Sequence, residues 1–116
     1  MELVQSRFVT DDVERLAAFY AALLKTPVAL NEYYVEVPAG AASVGFCKRR
    51  FTESRKCRDT VLDFLVDDVD AECERVRGLG VDLVMPPTDQ PWGSRAMLFA
   101  DPEGHQINVF ARRQAG

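Results

Sequence analysis

The last predicted strand of the chain carries amide side chains of a kind that can bind a ligand. Gln106, Asn108 and Phe110 point to one face of that strand, because successive side chains of a strand alternate between its two faces. Ile107 and Val109 point to the other face, which is predicted to be core. Since amides both donate and accept hydrogen bonds, the Asn108 face is predicted to meet water, a ligand or a metal ion.

The single tryptophan, Trp92, lies just before the final strand pair, between Pro91 and Gly93. Two interpretations of it stay open. The indole either packs over a loop or a dimer interface, or it stacks on a planar ligand, where stacking adds about 0.5–1.5 kcal/mol beyond the area that it buries. The polar setting of the segment favours an exposed indole.

Two opposite charges, Arg7 and Asp63, stand 56 residues apart on the predicted opening strands of the two halves of the chain. They either form a structural ion pair, since a charge that is buried without a partner loses its hydration, or they orient a polar ligand. A general acid–base role is disfavoured, because no histidine stands near either residue in the sequence. Gln5 shares the predicted face of Arg7.

Several kinds of chemistry are excluded by the motifs. The only histidine, His105, offers no Ser-His-Asp arrangement, and because it follows the turn sequence Asp101-Pro102-Glu103-Gly104 a structural role in that turn is predicted. The spacings of phosphate-binding glycine loops are absent from the sequence. A net charge of −4 disfavours nucleic acid as a partner, because phosphate binding needs a basic surface.

The composition predicts one folded domain of the cytoplasm. A chain of 116 residues, 47% hydrophobic and 28% charged, is long enough for a single core. No apolar run approaches the ~18 residues of a membrane span, and no basic segment followed by an apolar one opens the chain. Three cysteines without a C-x-x-C spacing favour neither a zinc site nor a disulfide framework.

These residues must be positioned by a helix and several strands in each half. Apolar residues recur at helical spacing over 12–25 and 69–79, and Asp11 with Glu14 forms a capping signature before the first helix. Strands of the first half are predicted at 2–9, 33–37 and 43–49, with a short extended piece at 28–30. Strands of the second half are predicted at 60–66, 81–85, 95–100 and 106–111, with a break at Pro86-Pro87.

The two halves repeat one another. Phe8-Val9-Thr10-Asp11-Asp12-Val13 matches Phe64-Leu65-Val66-Asp67-Asp68-Val69, 56 residues later. Each half reads as βαβββ, and a strand with one apolar face must bury that face against another element. We therefore predict an α+β fold in which two paired βαβββ modules, 2–50 and 60–112, form a cup-shaped curved sheet. The polar segment 51–59 is predicted to link the modules within one domain, 1–116.

This arrangement resembles the vicinal oxygen chelate superfamily, which includes glyoxalase I, bleomycin-resistance proteins and extradiol dioxygenases. The resemblance covers essentially the whole chain. Its carriers are Thr10-Asp11-Asp12-Val13 through Phe19-Tyr20, the restart at Val66-Asp67-Asp68-Val69-Asp70-Ala71, and the segment DPEGHQINVF at 101–110.

The resemblance also identifies positions that would hold a metal. In enzymes of the superfamily a divalent ion sits in the cup, with two ligands from each half. Carried over, these positions fall on Gln5, Val61 and Asn108, and the stretch 43–47 offers neither carboxylate nor imidazole. Divalent ions prefer carboxylates and imidazoles. The resemblance therefore implies a scaffold without the metal site and without a cofactor.

This departure resembles the antibiotic-resistance branch, whose members lack the metal and bind flat, hydrophobic antibiotics, often as dimers. Trp92-Gly93-Ser94-Arg95 looks like the tryptophan-glycine-x-arginine segment of mitomycin-binding and related drug-binding members. The resemblance and the need to cover open sheet edges together predict a homodimer.

We therefore predict a metal-free protein that binds a small aromatic molecule, with sequestration of an antibiotic or a related compound as the specific hypothesis. The predicted ligand contacts are Trp92, Arg7, Asp63, Gln5, Asn108 and Phe110. One alternative is a metal-dependent lyase, isomerase or dioxygenase of the same superfamily with unorthodox ligands, drawn from Glu32, Glu36 and Asp63. Another is a structural or regulatory dimer with a filled cup.

Overall fold

The computed structural model describes residues 1–49 and 60–112, and the chain divides into two compact units, Met1–Lys56 and Cys57–Gly116. The predicted linker 51–59 lies outside the described residues. The organisation of both modules into one domain therefore stays a prediction.

The first unit packs one helix on a three-stranded sheet. Its elements are β1 (Gln5–Thr10), α1 (Val13–Leu23), β2 (Tyr34–Ala39) and β3 (Ala42–Lys48). The central strand β3 runs parallel to β1 and antiparallel to β2. The rings of Phe8, Tyr20 and Phe46 pack on one another, with 5.0 Å between the centroids of the last two. The core of this unit therefore lies between α1 and one face of the sheet.

The residue that caps helix α1 is Asp12 and not the predicted Asp11. The Asp12 carboxylate accepts a 3.1 Å hydrogen bond from the backbone N–H of Arg15, which satisfies one of the donors that a helix start leaves unpaired. Asp11 instead forms an ion pair with Arg49 at 2.9 Å. The capping signature read from Asp11 and Glu14 was therefore one residue out of register.

The second unit packs one helix on a four-stranded sheet. Its elements are β4 (Val61–Leu65), α2 (Val69–Arg77), β5 (Leu83–Asp89), β6 (Ser94–Ala100) and β7 (Gln106–Arg112). The strand order is β4-β7-β6-β5, with β4 parallel to β7 and the other pairs antiparallel. Met97, Phe99 and Ile107 are fully buried in its core.

The internal repeat is confirmed by the geometry of both units. Asp68 caps α2 by accepting a 3.1 Å hydrogen bond from the backbone N–H of Ala71, as Asp12 caps α1. In each unit the opening strand runs parallel to the last strand. The fold is α+β, and its element order is consistent with two βαβββ modules, as predicted.

Two predicted boundaries were wrong. Strand β5 continues through Pro86 and Pro87, which were predicted to break it. The strand tolerates them because it is the outer strand of its sheet and its register with β6 shifts on both sides of Met85, and a proline without an N–H is accepted at edges and bulges. In the first unit, residues 28–30 form no strand.

Neither of the helices found in the described residues is long and apolar enough to span a bilayer.

Candidate ligand-binding site

The face of the second sheet opposite α2 carries a hydrogen-bonded pair that joins the edge strand β4 to β7. Asn108 of β7 lies beside Asp63 of β4 in the strand register, and its amide donates a 2.9 Å hydrogen bond to the Asp63 carboxylate. Among the described residues, the second carboxylate oxygen of Asp63 and the amide oxygen of Asn108 accept no other hydrogen bond. Since both atoms are acceptors, the pair can receive a hydrogen-bond donor or a cation from a ligand.

A pocket of about 540 Å³ adjoins this pair. Its aromatic lining is Trp92 and Phe110, and the remaining lining residues are Asp63, Asn108, Gly93, Ser94 and Arg112. The volume falls in the range of about 300–1,000 Å³ that is common for small-molecule sites. The lining is more polar than is common for such sites, since it combines two aromatic rings with two charged residues, an amide and a hydroxyl.

The turn before β6 presents Trp92 to solvent. The turn is closed by backbone hydrogen bonds from Gln90 N–H to the Ser94 carbonyl (2.8 Å) and from Gly93 N–H to the Gln90 carbonyl (3.1 Å). Gly93 has a φ of +97°, which a residue with a side chain rarely adopts. The side chain of Trp92 is 77% exposed, so the predicted exposure is confirmed. A protruding indole on a hydrogen-bonded turn is available for stacking.

Arg95 ties the pocket-lining strand β6 to the helix on the opposite side. Its guanidinium donates hydrogen bonds to the Asp70 carboxylate (2.9 Å) and to Asp89 (3.1 Å). The bond from Arg95 lowers the pKa of Asp70, and the bonds to Asp70 and Asp89 raise the pKa of Arg95. Arg95, which belongs to the segment that resembles drug-binding relatives, therefore holds β6 in place and does not line the pocket.

The turn between β6 and β7 is held by a buried carboxylate. Asp101 accepts hydrogen bonds from the backbone N–H groups of Glu103 (2.8 Å) and His105 (3.0 Å), and it lies 2.7 Å from Nδ1 of His105. The Asp101 side chain is fully buried. His105 thus has the structural position in the turn that was predicted for it, and the turn sets where β7 starts.

On the corresponding face of the first unit, polar side chains are hydrogen-bonded to one another. Gln5 Nε2 donates to the Tyr34 hydroxyl (2.6 Å) and to Ser43 Oγ (3.4 Å), and Ser43 donates to the Glu36 carboxylate (2.6 Å). Gly45 leaves room for this arrangement, because a Cβ there would lie 2.8 Å from Gln5 Nε2. We refer to Gln5, Tyr34, Ser43 and Glu36 as the Gln5 network.

The positions carried over from metal-dependent enzymes do not fit a metal in this chain. Gln5 is bonded to Tyr34, Asn108 is bonded to Asp63, and Val61 has a hydrocarbon side chain. Hard and borderline divalent ions are held chiefly by carboxylates and imidazoles. Within 1–49 and 60–112, no three His, Cys, Asp or Glu side chains are grouped so that they could hold an ion. No step through a metal follows from these residues.

The pocket gathers four of the six predicted ligand contacts: Trp92, Asp63, Asn108 and Phe110. The other two, Gln5 and Arg7, lie on β1 of the first unit. Gln5 belongs to the Gln5 network there, and Arg7 is an exposed residue of the same strand face.

Sequence reasoning missed the polar end of the pocket, which consists of Ser94 and Arg112. Arg112 left a signal, because it is the next residue on the face of Asn108 and Phe110, but the strand was predicted to end one residue earlier. Ser94 belongs to the segment Trp92–Arg95 that resembles drug-binding members, but its position beside Arg112 depends on the pairing of β6 with β7.

Comparison with models of protein families identifies the superfamily of this chain. A model of the Glyoxalase/Bleomycin resistance protein/Dioxygenase superfamily matches residues 3–109, and the chain belongs to that superfamily. The wider resemblance stated from the sequence is thereby confirmed.

The chain is also similar to curated relatives in mycobacteria. It is 28% identical over 112 residues to a protein of Mycobacterium tuberculosis, and equally to one of Mycobacterium bovis, each named "Putative glyoxylase CFP32". The alignment covers 92% of this chain but 42% of the relatives, so the chain spans less than half of their length.

Solved structures share the fold at low sequence identity. A glyoxalase/bleomycin resistance protein/dioxygenase from Nocardioides superposes with a TM-score of 0.80 at 21% identity, covering 100% of this chain and 86% of that one. The lactoylglutathione lyase of Agrobacterium tumefaciens superposes with a TM-score of 0.75 at 18% identity, covering 95% and 92%. At these identities the likeness concerns the fold alone, because one fold supports many functions.

Proposed function

We propose that this protein binds a small aromatic molecule in the pocket of its second unit, without a metal, and that the compound it sequesters is an antibiotic or a related molecule. The observation that carries the proposal is the exposed Trp92 facing the same pocket as Phe110 and the Asp63–Asn108 pair. Aromatic rings supply most of the contact area of such sites, while a few polar groups set orientation.

The proposed mode of action is binding alone. Trp92 stacks on one face of the ligand, where stacking adds about 0.5–1.5 kcal/mol to the free energy of area burial. Asp63 and Asn108 offer acceptor atoms to the ligand's donors. Since binding consumes no substrate, the proposal requires neither a nucleophile nor a proton relay.

We further propose that the protein acts as a homodimer in the cytoplasm and serves antibiotic resistance. Each described sheet ends in open strands, β1 and β2 in the first unit and β4 and β5 in the second. Open edges invite pairing and are commonly covered by a second chain. Sedimentation velocity of the full chain tests the dimer, and a species of monomer mass at micromolar concentration would contradict it.

Fluorescence of the sole tryptophan tests ligand binding directly. Mitomycin C, a bleomycin and 9-aminoacridine are titrated into the protein, each with EDTA and with added divalent metal. We expect saturable quenching by at least one planar compound, with the same midpoint in EDTA and in metal. Calorimetry then compares Trp92→Phe, which keeps an aromatic ring, with Trp92→Ala, for which we expect roughly tenfold weaker binding.

The controls separate this proposal from the enzyme alternative. Asp82→Asn alters an exposed carboxylate outside the pocket and is expected to leave the midpoint unchanged. Absence of quenching by every compound, together with a fluorescence change on addition of metal, would contradict the proposal. That result would favour a metal-dependent lyase, isomerase or dioxygenase and a search for its ligands.

A further inference from the structure

The pocket of the second unit contains two opposite charges that do not pair with each other. The Asp63 carboxylate accepts a hydrogen bond from the neutral Asn108, and within the described residues of the second unit no Arg, Lys or His forms an ion pair with it. Arg112 likewise has no carboxylate partner among those residues, and its guanidinium lies 5.7 Å from the centre of the Phe110 ring. Both side chains nevertheless line the same pocket.

The strand register places these charges at opposite ends of the pocket. Asn108, Phe110 and Arg112 are alternate residues of β7 and therefore share one face. Asp63 is paired with Asn108, whereas Ser94 is paired with Arg112. At about 3.3 Å per residue, the backbone positions of Asn108 and Arg112 are about 13 Å apart along β7, with Phe110 between them. The Asp63 and Arg112 side chains form no ion pair with each other.

The chemistry of the two ends is complementary. At the first end, Asp63 and Asn108 present acceptor oxygens, which suit a cationic or hydrogen-bond-donating group. At the second end, the guanidinium of Arg112 offers only donors, which suit a carboxylate or another acceptor. Phe110 lies between the two ends along β7, and Trp92 is the second aromatic residue of the same lining, so the pocket offers two aromatic rings to a ligand.

From this arrangement we propose that the pocket selects an elongated aromatic ligand with a cationic group at one end and an anionic group at the other. The inference rests on the proposed function, since it names the class of ligand for the same site. Asp63 binds the cationic end, Arg112 binds the anionic end, and Trp92 and Phe110 bind the rings.

Three biphenyls that differ only in charge test the proposal. The zwitterion is 4′-(aminomethyl)biphenyl-4-carboxylate, the anion is biphenyl-4-carboxylate, and the cation is 4-phenylbenzylammonium. Dissociation constants are measured by calorimetry and by Trp92 fluorescence. We expect the zwitterion to bind roughly three- to tenfold more tightly than either singly charged compound, which is the effect of one charged hydrogen bond in a solvated site.

Two substitutions assign the ends. Asp63→Asn is expected to reduce the affinity for the zwitterion to that for the anion, while binding of the anion is kept. Arg112→Gln is expected to reduce the affinity for the zwitterion to the affinity for the cation, while the affinity for the cation stays unchanged. The matched controls, Asp82→Asn and Arg77→Gln, change exposed charges outside the pocket and should leave all three constants unchanged.

The outcomes distinguish the two proposals. Equal affinity for all three biphenyls would overturn the bipolar pocket while leaving aromatic binding intact. Equal affinity for the zwitterion and one singly charged compound would likewise overturn it, because one end would then contribute nothing. If no biphenyl binds by either method, the proposed aromatic site itself fails.

Discussion

The two units differ in the polar side chains on the equivalent face of their sheets, the face that points away from the helix. In the first unit the polar side chains of this face bond to one another and form the Gln5 network. In the second unit Asp63 and Asn108 share one hydrogen bond, and a pocket of about 540 Å³ remains beside them. Polar groups that satisfy each other add to stability, whereas polar groups left with open acceptors are available to a ligand.

The difference follows from a few equivalent positions. Strand pairing makes Gly45 the counterpart of Asn108, since Arg7 pairs with Gly45 as Asp63 pairs with Asn108. By the same pairing, Tyr34 of the first unit stands where the second has Ala96. The glycine allows Gln5 to reach the Tyr34 hydroxyl, whereas the alanine has no hydroxyl that could join such a network. The same arrangement of strands therefore carries the Gln5 network in the first unit and a pocket in the second.

The largest expected effect concerns the hairpin turns that align these faces. Both hairpin turns contain a glycine with positive φ, Gly40 at +66° and Gly104 at +90°, but the turn of the second unit also contains the buried carboxylate of Asp101. Asp101→Ala removes the acceptor of two backbone N–H groups and the partner of His105, so we expect a loss of about 2–4 kcal/mol in the free energy of unfolding. Urea denaturation measures it, with Asp82→Ala as the control. A loss of stability no larger than that of the control would show that the Asp101 carboxylate does not stabilise its turn.

The next effect concerns the space that Gly45 leaves for Gln5. In Gly45→Ala the new Cβ displaces the Gln5 amide, and we expect a loss of about 1–2 kcal/mol in unfolding free energy. The double variant Gln5→Ala/Gly45→Ala relieves the clash, so the two changes should couple in a double-mutant cycle. Additive losses would mean that the Gln5 network does not depend on the glycine.

A matched pair of substitutions compares the Gln5 network of the first unit with the Asp63–Asn108 pair of the second. Tyr34→Phe removes a hydrogen bond of the Gln5 network, and we expect a loss of about 0.5–1.5 kcal/mol in stability without a change in biphenyl binding. Asn108→Ala is expected to change stability by less than about 0.5 kcal/mol, because Asp63 then bonds to water, but to weaken binding of the zwitterion. Denaturation measures the stability of both variants, and calorimetry measures their binding of the zwitterion. Weaker binding by Tyr34→Phe, together with unchanged binding by Asn108→Ala, would contradict the comparison.

The smallest effect is in the acid range and concerns Arg95. Because Arg95 lowers the pKa of Asp70 in the folded protein, the stability from this pair is complete above the ordinary value of 3.8 and is lost as pH falls through the lowered value. Asp70→Asn should therefore flatten the loss of stability in acid, with a small effect at neutral pH since the pair is exposed. Denaturation midpoints from about pH 5 to pH 2 measure it, against Asp82→Asn. Parallel profiles for the variant and the unchanged protein would refute the assignment.

Local patterns predicted most of the fold and part of the site. The repeat of Phe8 to Val13 at Phe64 to Val69 predicted two modules, and the turn at Asp101 predicted the final hairpin. The one-residue error at the first helix arose because Asp11 and Asp12 are adjacent and of a residue type that caps helices. In the structure Asp12 accepts the hydrogen bond from Arg15, while Asp11 pairs with Arg49. The sequence could not predict that strand β5 continues through Pro86, because a proline is accepted there only since β5 is an edge strand.

By itself the sequence determined the class of fold, the alternation that gives Asn108 and Phe110 a common face, and the absence of ordinary metal ligands at the carried-over positions. Those properties are local, because they follow from side-chain type and from the two-residue period of a strand. Only the tertiary structure decided that Gln5 is bonded to Tyr34 while Asn108 is bonded to Asp63. It also decided that Arg112 joins the pocket. These contacts join residues 29 to 45 positions apart, and they depend on strand register, which is set by packing across the whole sheet.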